Sequence, residues 1–133
     1  MFSVPTRTQY GIRALVHLAM TEARSATSAE IAKAQSISPK YLEGILGQLK
    51  NSGLVLSERG AHGGYRLARE PEAIRMIEVV EALEGEVKPV DCLEDSVHCD
   101  FGVGCLPRRF WSGLKETIDE YFASKTLKDV IET

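Results

Sequence analysis

The stretch from Ser38 to Ala68 restricts the fold more than any other part of this chain. Ser38 followed by Pro39 is a strong helix start, because the serine hydroxyl accepts from the exposed N–H groups and proline needs no donor at the first helical position. Leu42, Ile45, Leu46 and Leu49 then recur at helical spacing, marking a buried stripe on a helix that runs to about Asn51. Gly53 ends it as a C-terminal cap. Leu54-Val-Leu-Ser-Glu58, a glycine-rich turn at Arg59-Gly-Ala-His-Gly-Gly64, and Tyr65-Arg-Leu-Ala68 read as strand, turn and strand. A capped helix leading straight into a hairpin is a compact unit.

Two helices precede it. Ile12, Leu15, Val16 and Ala19 mark an inward face on a first helix from Thr8 to Ala23, which Ser25 to Ser28 break. Thr27 stands three residues before Glu30, a capping-box arrangement opening a second helix through Ala34. Three helices and a hairpin make a winged helix-turn-helix. Pro71 begins a linker into an amphipathic helix near Ile74–Leu83, with Ile74, Ile77, Val80 and Ala82 or Leu83 inward. Residues 86–106 carry no periodicity and read as a loop. From Pro107 a long helix shows Phe110, Leu114, Ile118 and Tyr121 or Phe122 on one stripe, and Thr126 to Ile131 read as a short last helix. The expected architecture is mainly α with a small β-hairpin: a winged helix-turn-helix domain (1–70), a connecting helix and cysteine-bearing sensor loop (71–106), and a dimerisation helix with a C-terminal helix (107–133). Such a stripe beyond a small domain calls for a partner surface, either a second copy or the chain's own first helix.

With 44% hydrophobic and 26% charged residues, wholesale disorder and collagen-like structure are excluded. No run of about 18 apolar residues offers a membrane span, and Met1 to Arg13 lack the features of a signal peptide. A cytoplasmic location without membrane partners is the expectation. The net charge of −3 conceals a division. Residues 1–69 hold nine Lys/Arg against four Asp/Glu, and residues 70–133 seven against fifteen. A polyanion is attracted to the first half and repelled by the second.

In a winged helix-turn-helix the third helix enters a major groove with its first residues toward the bases. Lys40 and Tyr41 stand there, with Gln48 farther along the exposed face. Glu43 either accepts from a cytosine amino group, excludes wrong sequences, or is a solvated carboxylate. Gly44 and Gly47 lower helix propensity, and either allow close approach of DNA or another helix, or relieve crowding. Arg59 sits at the wing turn, where a guanidinium can insert into a narrow minor groove. The DNA-binding candidates are Thr27, Ser38, Pro39, Lys40, Tyr41, Glu43, Gln48, Arg59, His62, Gly63, Tyr65 and Arg66.

Cys92, Cys99 and Cys105 fall within 14 residues, and no other cysteine occurs. An odd number in a reducing compartment argues against a disulfide framework. Thiolates suit zinc or iron–sulfur centres. The spacing C-x6-C-x5-C has no short C-x2–4-C element, which disfavours zinc and suits a larger cluster wrapped by its ligands.

Thr8-Gln-Tyr-Gly-Ile-Arg-Ala-Leu15, Ile37-Ser-Pro-Lys-Tyr-Leu-Glu43 and Arg59-Gly-Ala-His-Gly-Gly-Tyr-Arg-Leu67 resemble the bacterial winged-helix regulators of the IscR/NsrR group. That group includes the iron–sulfur cluster assembly regulator, the nitric-oxide-sensing repressor and the cysteine-metabolism repressor. The likeness continues through Ile77-Glu-Val-Val-Glu-Ala-Leu-Glu-Gly85, the cysteine loop, Trp111 and Thr126-Leu-Lys-Asp-Val130. The resemblance implies a homodimer joined through Phe110, Leu114, Ile118 and Tyr121 of the long helix, bound to a pseudo-palindromic double-stranded DNA operator. It also implies an iron–sulfur cluster on Cys92, Cys99 and Cys105, [2Fe-2S] ahead of [4Fe-4S], which an aerobic preparation can lose. Two departures concern the fourth ligand. Members with a histidine three residues after the last cysteine have an evident ligand, and this chain has Arg108 there. Others use a carboxylate at the start of the partner's first helix, a place that matches Gln9 here, while Arg13 stands where some members have a histidine. Gln9, His98, Asp91, Glu94 and Asp100 are the remaining candidates. The first cysteine interval is also one residue longer than the group's usual C-x5-C-x5-C.

The expected function is a dimeric transcriptional repressor sensing cluster, redox or nitric oxide status. The alternative is the same DNA-binding fold run as a cluster-free thiol or zinc regulator. An electron carrier or enzyme is disfavoured: His17, His62 and His98 are isolated, and Gly60 to Gly64 lacks the Gly-Lys-Ser/Thr ending of a phosphate loop.

Overall fold

The structure is a computed structural model, and it describes residues 3–59, 63–93, 101 and 104–133. Its elements run α1 (Thr6–Met20), β1 (Ser25–Ala26), α2 (Ser28–Gln35), α3 (Pro39–Asn51), β2 (Val55–Glu58), β3 (Gly64–Leu67), α4 (Met76–Glu84), α5 (Leu106–Ser124) and α6 (Leu127–Glu132). Single 3-10 turns occupy Pro71–Ala73 and Asp91–Leu93. The architecture is mostly helical with a small antiparallel sheet.

The local signals act as their chemistry requires. Thr27 Oγ1 accepts from the Glu30 N–H at 3.0 Å, and the Glu30 carboxylate accepts from the Thr27 N–H at 3.0 Å, closing the capping box on α2. Ser38 Oγ accepts from the Tyr41 N–H at 3.3 Å, with Pro39 as the first residue of α3. Gly53 takes φ +76°. Its turn lets the Leu54 N–H reach the Leu49 carbonyl at 2.9 Å and sends the chain into β2.

The sheet has three strands in the order β1-β3-β2, rather than a hairpin alone. Ser25 and Ala26, read from sequence only as a helix break, pair antiparallel with Arg66 and Tyr65. Two residues are too few for a period to register; the free edge of β3 supplies what their sequence does not. Gly64 permits the approach, since a Cβ there would lie 3.2 Å from the Ala26 carbonyl oxygen.

Two helix faces differ from the sequence reading. In α1 the buried residues are Thr8, Gly11, Ala14, Leu15 and Leu18, while Ile12, Val16 and Ala19 are half-buried on the helix flank. Counting bulky side chains overlooked the small ones at the crossing. A Cβ on Gly11 would come within 2.3 Å of Leu83 Cδ1, so a side chain there would have to displace the Leu83 methyl from its place in the core. Ile74 and Arg75 are extended rather than helical, and α4 begins at Met76 and buries Met76, Val79, Val80 and Leu83, leaving Ile77 half-buried. Ile74 is buried from extended backbone. The Leu127 N–H donates to the Ile74 carbonyl at 2.9 Å, and the Met76 N–H to the Lys125 carbonyl at 2.8 Å. This bridge holds Ile74 and Arg75 extended, which delays the helix and rotates its register.

Leu15, Leu18, Ile31, Leu42, Ile45, Leu46, Leu49, Leu54, Val55, Ile74, Val79 and Leu127 form one water-free core. Burial of each such side chain is worth about 1.5–3 kcal/mol. Leu127, from α6, is fully buried among residues of the first four helices.

Candidate nucleic-acid interface and cysteine segment

With Leu42, Ile45, Leu46 and Leu49 turned inward, α3 presents Lys40, Tyr41, Glu43 and Gly44 outward, and Gly47 and Gln48 half-buried beside them. A Cβ on Gly44 or Gly47 would meet nothing within 4 Å. Crowding inside the protein therefore does not account for these glycines. They leave a shallow open strip, and its backbone is accessible to whatever lies against the helix.

Three residues of α1 shape that strip. The Tyr10 ring meets the Tyr41 ring edge-on, with centroids 5.9 Å apart, and the Arg13 guanidinium lies 5.8 Å from the Tyr10 centroid. Arg7 donates through Nε to Gln48 Oε1 and through Nη2 to the Gly44 carbonyl at 3.3 Å. Lys40 and Arg59 are exposed, without an ion-pair partner among the described residues. Arg66 pairs with Glu58 across the strands at 3.5 Å, and Tyr65 packs its ring against the core. Gly63 is exposed with φ +58°. Thr27 and Ser38 use their hydroxyls as caps, and Pro39 is exposed. His62 lies outside the described residues.

The sequence reading missed Arg7, Tyr10 and Gly11. Arg7 lies 41 residues from Gln48, so no local pattern joins them. Gly11 was legible in principle, because Gly11, Leu15 and Leu18 follow helical spacing once glycine is counted as a contact residue.

Cys92 sits in the 3-10 turn Asp91–Leu93 and Cys105 immediately precedes α5; both are half-buried free thiols. Cys99, His98, Glu94 and Asp100 lie outside the described residues. Arg108 is engaged: its Nε donates to the Cys92 carbonyl at 3.3 Å, drawing the turn that bears Cys92 onto the first turn of α5 just after Cys105. Gln9 donates its amide to the Val4 carbonyl at 2.7 Å, and Asp91 is exposed. Two soft donors lie at the ends of a segment that Arg108 pulls together, a donor chemistry that fits a thiolate-held metal centre.

The approach to this segment is fastened as well. Lys115 of α5 donates to Glu86 at 2.9 Å and to Asp119 at 2.6 Å, and Lys88 lies 3.6 Å from Glu86. The Lys115 hydrogen bond, then the charges of Lys115 and Lys88, hold the Glu86 carboxyl below its ordinary 4.5. Asp119 first, and then Glu86, raise Lys115 above 10.5.

Along α5, Phe110 is 70% and Tyr121 60% exposed, while Leu114 and Ile118 are half-buried and Phe122 packs on the core. A groove of about 620 Å³ runs beside it, walled by Val4, Pro5, Val80, Val87, Ile118 and Phe122.

Helix, turn and capped second helix, backed by a three-stranded wing, define a winged helix-turn-helix transcriptional regulator. The family model described as "Rrf2: Iron-dependent Transcriptional regulator" matches residues 4–133. The chain belongs to the Rrf2 family. Protein rrf2 of Nitratidesulfovibrio vulgaris is 38% identical over 127 residues, covering 95% of this chain and 85% of that protein. The solved structure of CymR, the global cysteine regulator of Bacillus subtilis, superposes with a TM-score of 0.81 at 33% identity, over 99% of this chain and 98% of that one. IscR of T. potens gives a TM-score of 0.77 at 33% identity, over 98% and 87%. Other relatives at 35% and 34% identity are named as HTH-type transcriptional regulators. No helix among the described residues is long and apolar enough to cross a membrane.

Proposed function

We propose that the protein is a homodimeric repressor that binds a pseudo-palindromic double-stranded DNA operator and senses cluster, redox or nitric oxide status through Cys92, Cys99 and Cys105. The observation that carries the reading is the outer strip of α3: an exposed Lys40 and Tyr41 at its start, two glycines with open space above them, and a core stripe that fixes the helix behind. Residues 1–70 contact DNA, 71–106 sense, and 107–133 join two copies through Phe110, Leu114, Ile118 and Tyr121. Two wings on a two-fold axis read half-sites about one helical turn apart.

An iron–sulfur cluster, [2Fe-2S] by preference, supplies a redox- and nitric-oxide-reactive centre when bound. Cys92, Cys99 and Cys105 would hold it. Arg108 keeps the Cys92 turn on α5, so ordering or loosening of the segment bears on the helix that sets the separation of the two recognition helices. Iron and sulfide counts after anaerobic purification, with DNA binding measured before and after cluster removal, test this. Cys99→Ala is expected to lose iron and visible absorption; a variant that keeps both sinks the cluster reading.

One observation favours a second reading. At the two places where relatives of the group have a fourth ligand, this chain has Arg108, a cation held on the Cys92 carbonyl, and Gln9, a neutral amide rather than a carboxylate. A regulator working by thiol oxidation or structural zinc uses the same DNA surface, and a colourless protein holding stoichiometric zinc would select it.

A further inference from the structure

We infer that Arg7 is a positioning residue that orients the Gln48 amide with its NH2 end toward DNA, an inference that rests on the DNA-binding reading above. The Arg7 Nε–H donates to Gln48 Oε1, and Nη2 donates to the Gly44 carbonyl at 3.3 Å. A guanidinium has five donors and no acceptor, so the end of the Gln48 amide facing it must be the oxygen. The NH2 end is left for an outside ligand. An unrestrained glutamine offers both ends and bonds adenine with both at once. With its oxygen turned toward Arg7, Gln48 meets an outside ligand through its NH2 and so addresses acceptors: N7 and O6 of guanine, N7 of adenine, O4 of thymine, or a phosphate oxygen. It meets the amino group of cytosine donor against donor.

The surroundings support this role. Arg7 and Gln48 are both half-buried, so their bond is partly shielded from competing water. A charged donor on Oε1 also polarises the amide and strengthens its N–H groups. Gly44 lies one turn before Gln48 on the same face, and the space above it is open, which gives an acceptor room to approach.

The test selects a pool of duplexes with randomised positions on the wild-type chain and on Arg7→Ala, Gln48→Ala and Arg7→Ala/Gln48→Lys, with affinities measured at several salt concentrations and Tm recorded for each. Gln48→Ala and Arg7→Ala are expected to lose discrimination at the same base pair of each half-site by about fivefold, with other positions unchanged. Arg7→Ala/Gln48→Lys regains affinity, because an ammonium carries donors only and needs no orienting. If the acceptor is a phosphate, both single variants weaken all sequences by one common factor with the salt slope unchanged. A salt slope lowered by about one in Arg7→Ala, with Gln48→Ala neutral, makes Arg7 itself the phosphate contact and overturns the inference. An unchanged Arg7→Ala profile beside an altered Gln48→Ala profile also overturns it. A wild-type chain that binds no duplex overturns the DNA-binding reading, and this inference with it.

Discussion

α3 and α5 are both amphipathic helices, and their apolar faces are satisfied in opposite ways. Of the thirteen residues of α3, Leu42, Ile45, Leu46 and Leu49 are wholly removed from water, and Ser38 and Gly53 define its ends. α5 is longer, at nineteen residues, yet none of them is buried against the described residues, and Phe110 and Tyr121 face outward. The apolar face of α3 is covered within one chain, and that of α5 is only half covered by the described residues. The proposed recognition helix owes its position to the monomer; the long helix keeps apolar surface for the proposed second copy.

The sharpest way to break this contrast is truncation of one side chain on each helix. Ile45→Ala is expected to lower stability by about 2–5 kcal/mol in chemical denaturation, whatever the protein concentration. Ile118→Ala at high dilution is expected to lose much less, and instead to shift sedimentation toward the monomer. Equal, concentration-independent losses would erase the distinction.

Two glycines sharpen it at the next scale down. Gly11→Ala forces a methyl into Leu83 and is expected to destabilise by about 1–3 kcal/mol. Gly44→Ala enters open space, improves helix propensity and is expected to stabilise by about 1 kcal/mol. It is nonetheless expected to weaken operator binding. A Gly44→Ala protein that binds DNA as well as wild type would mean that the open strip of α3 is not the contact surface.

The smallest effect concerns the fastening of α5. Glu86 is depressed in the folded chain, so its contribution is present above the ordinary carboxylate range and lost as pH falls below 4.5. Lys115 is raised, so its contribution holds below 10.5 and is lost as pH climbs past that value. An NMR titration is expected to place the Glu86 midpoint below 4.5, and Lys115→Ala to move it upward, with the amide signals of α3 unaffected. A midpoint insensitive to Lys115 would remove this tie between α5 and the chain entering the cysteine segment.

What the sequence made legible follows from how far each signal reaches. Caps act over three or four residues, so Thr27 with Glu30, and Ser38 with Pro39, announced α2 and α3 correctly. The stripe of α3 was read residue for residue because all four of its large apolar side chains face one way. α1 misled because it carries apolar residues on two flanks, and its true contact surface includes Gly11 and Ala14, which periodicity weighs lightly. α4 misled because its start depends on Leu127 and Lys125, about fifty residues downstream, gripping the backbone of Ile74 and Met76. β1 exists only because β3 has an edge to offer. In the candidate interface, Lys40, Tyr41 and Gln48 were recognised by position on a helix, whereas Arg7 could be found only once α1 and α3 were seen side by side.

Leu127 has a consequence for the life of the chain before it is complete. Ribosomal synthesis delivers Leu15, Ile45 and Leu46 early, and a domain normally folds as a unit once its parts have emerged. Here the last core side chain arrives after the wing, the cysteines and the whole of α5. Until it does, the first three helices surround an unfilled gap and residues 74–76 lack the strand-like partner that sets the start of α4. A nascent chain stalled within α5 therefore exposes an unfinished apolar interior. The winged helix-turn-helix is completed only when the cysteine segment and α5 have already been made.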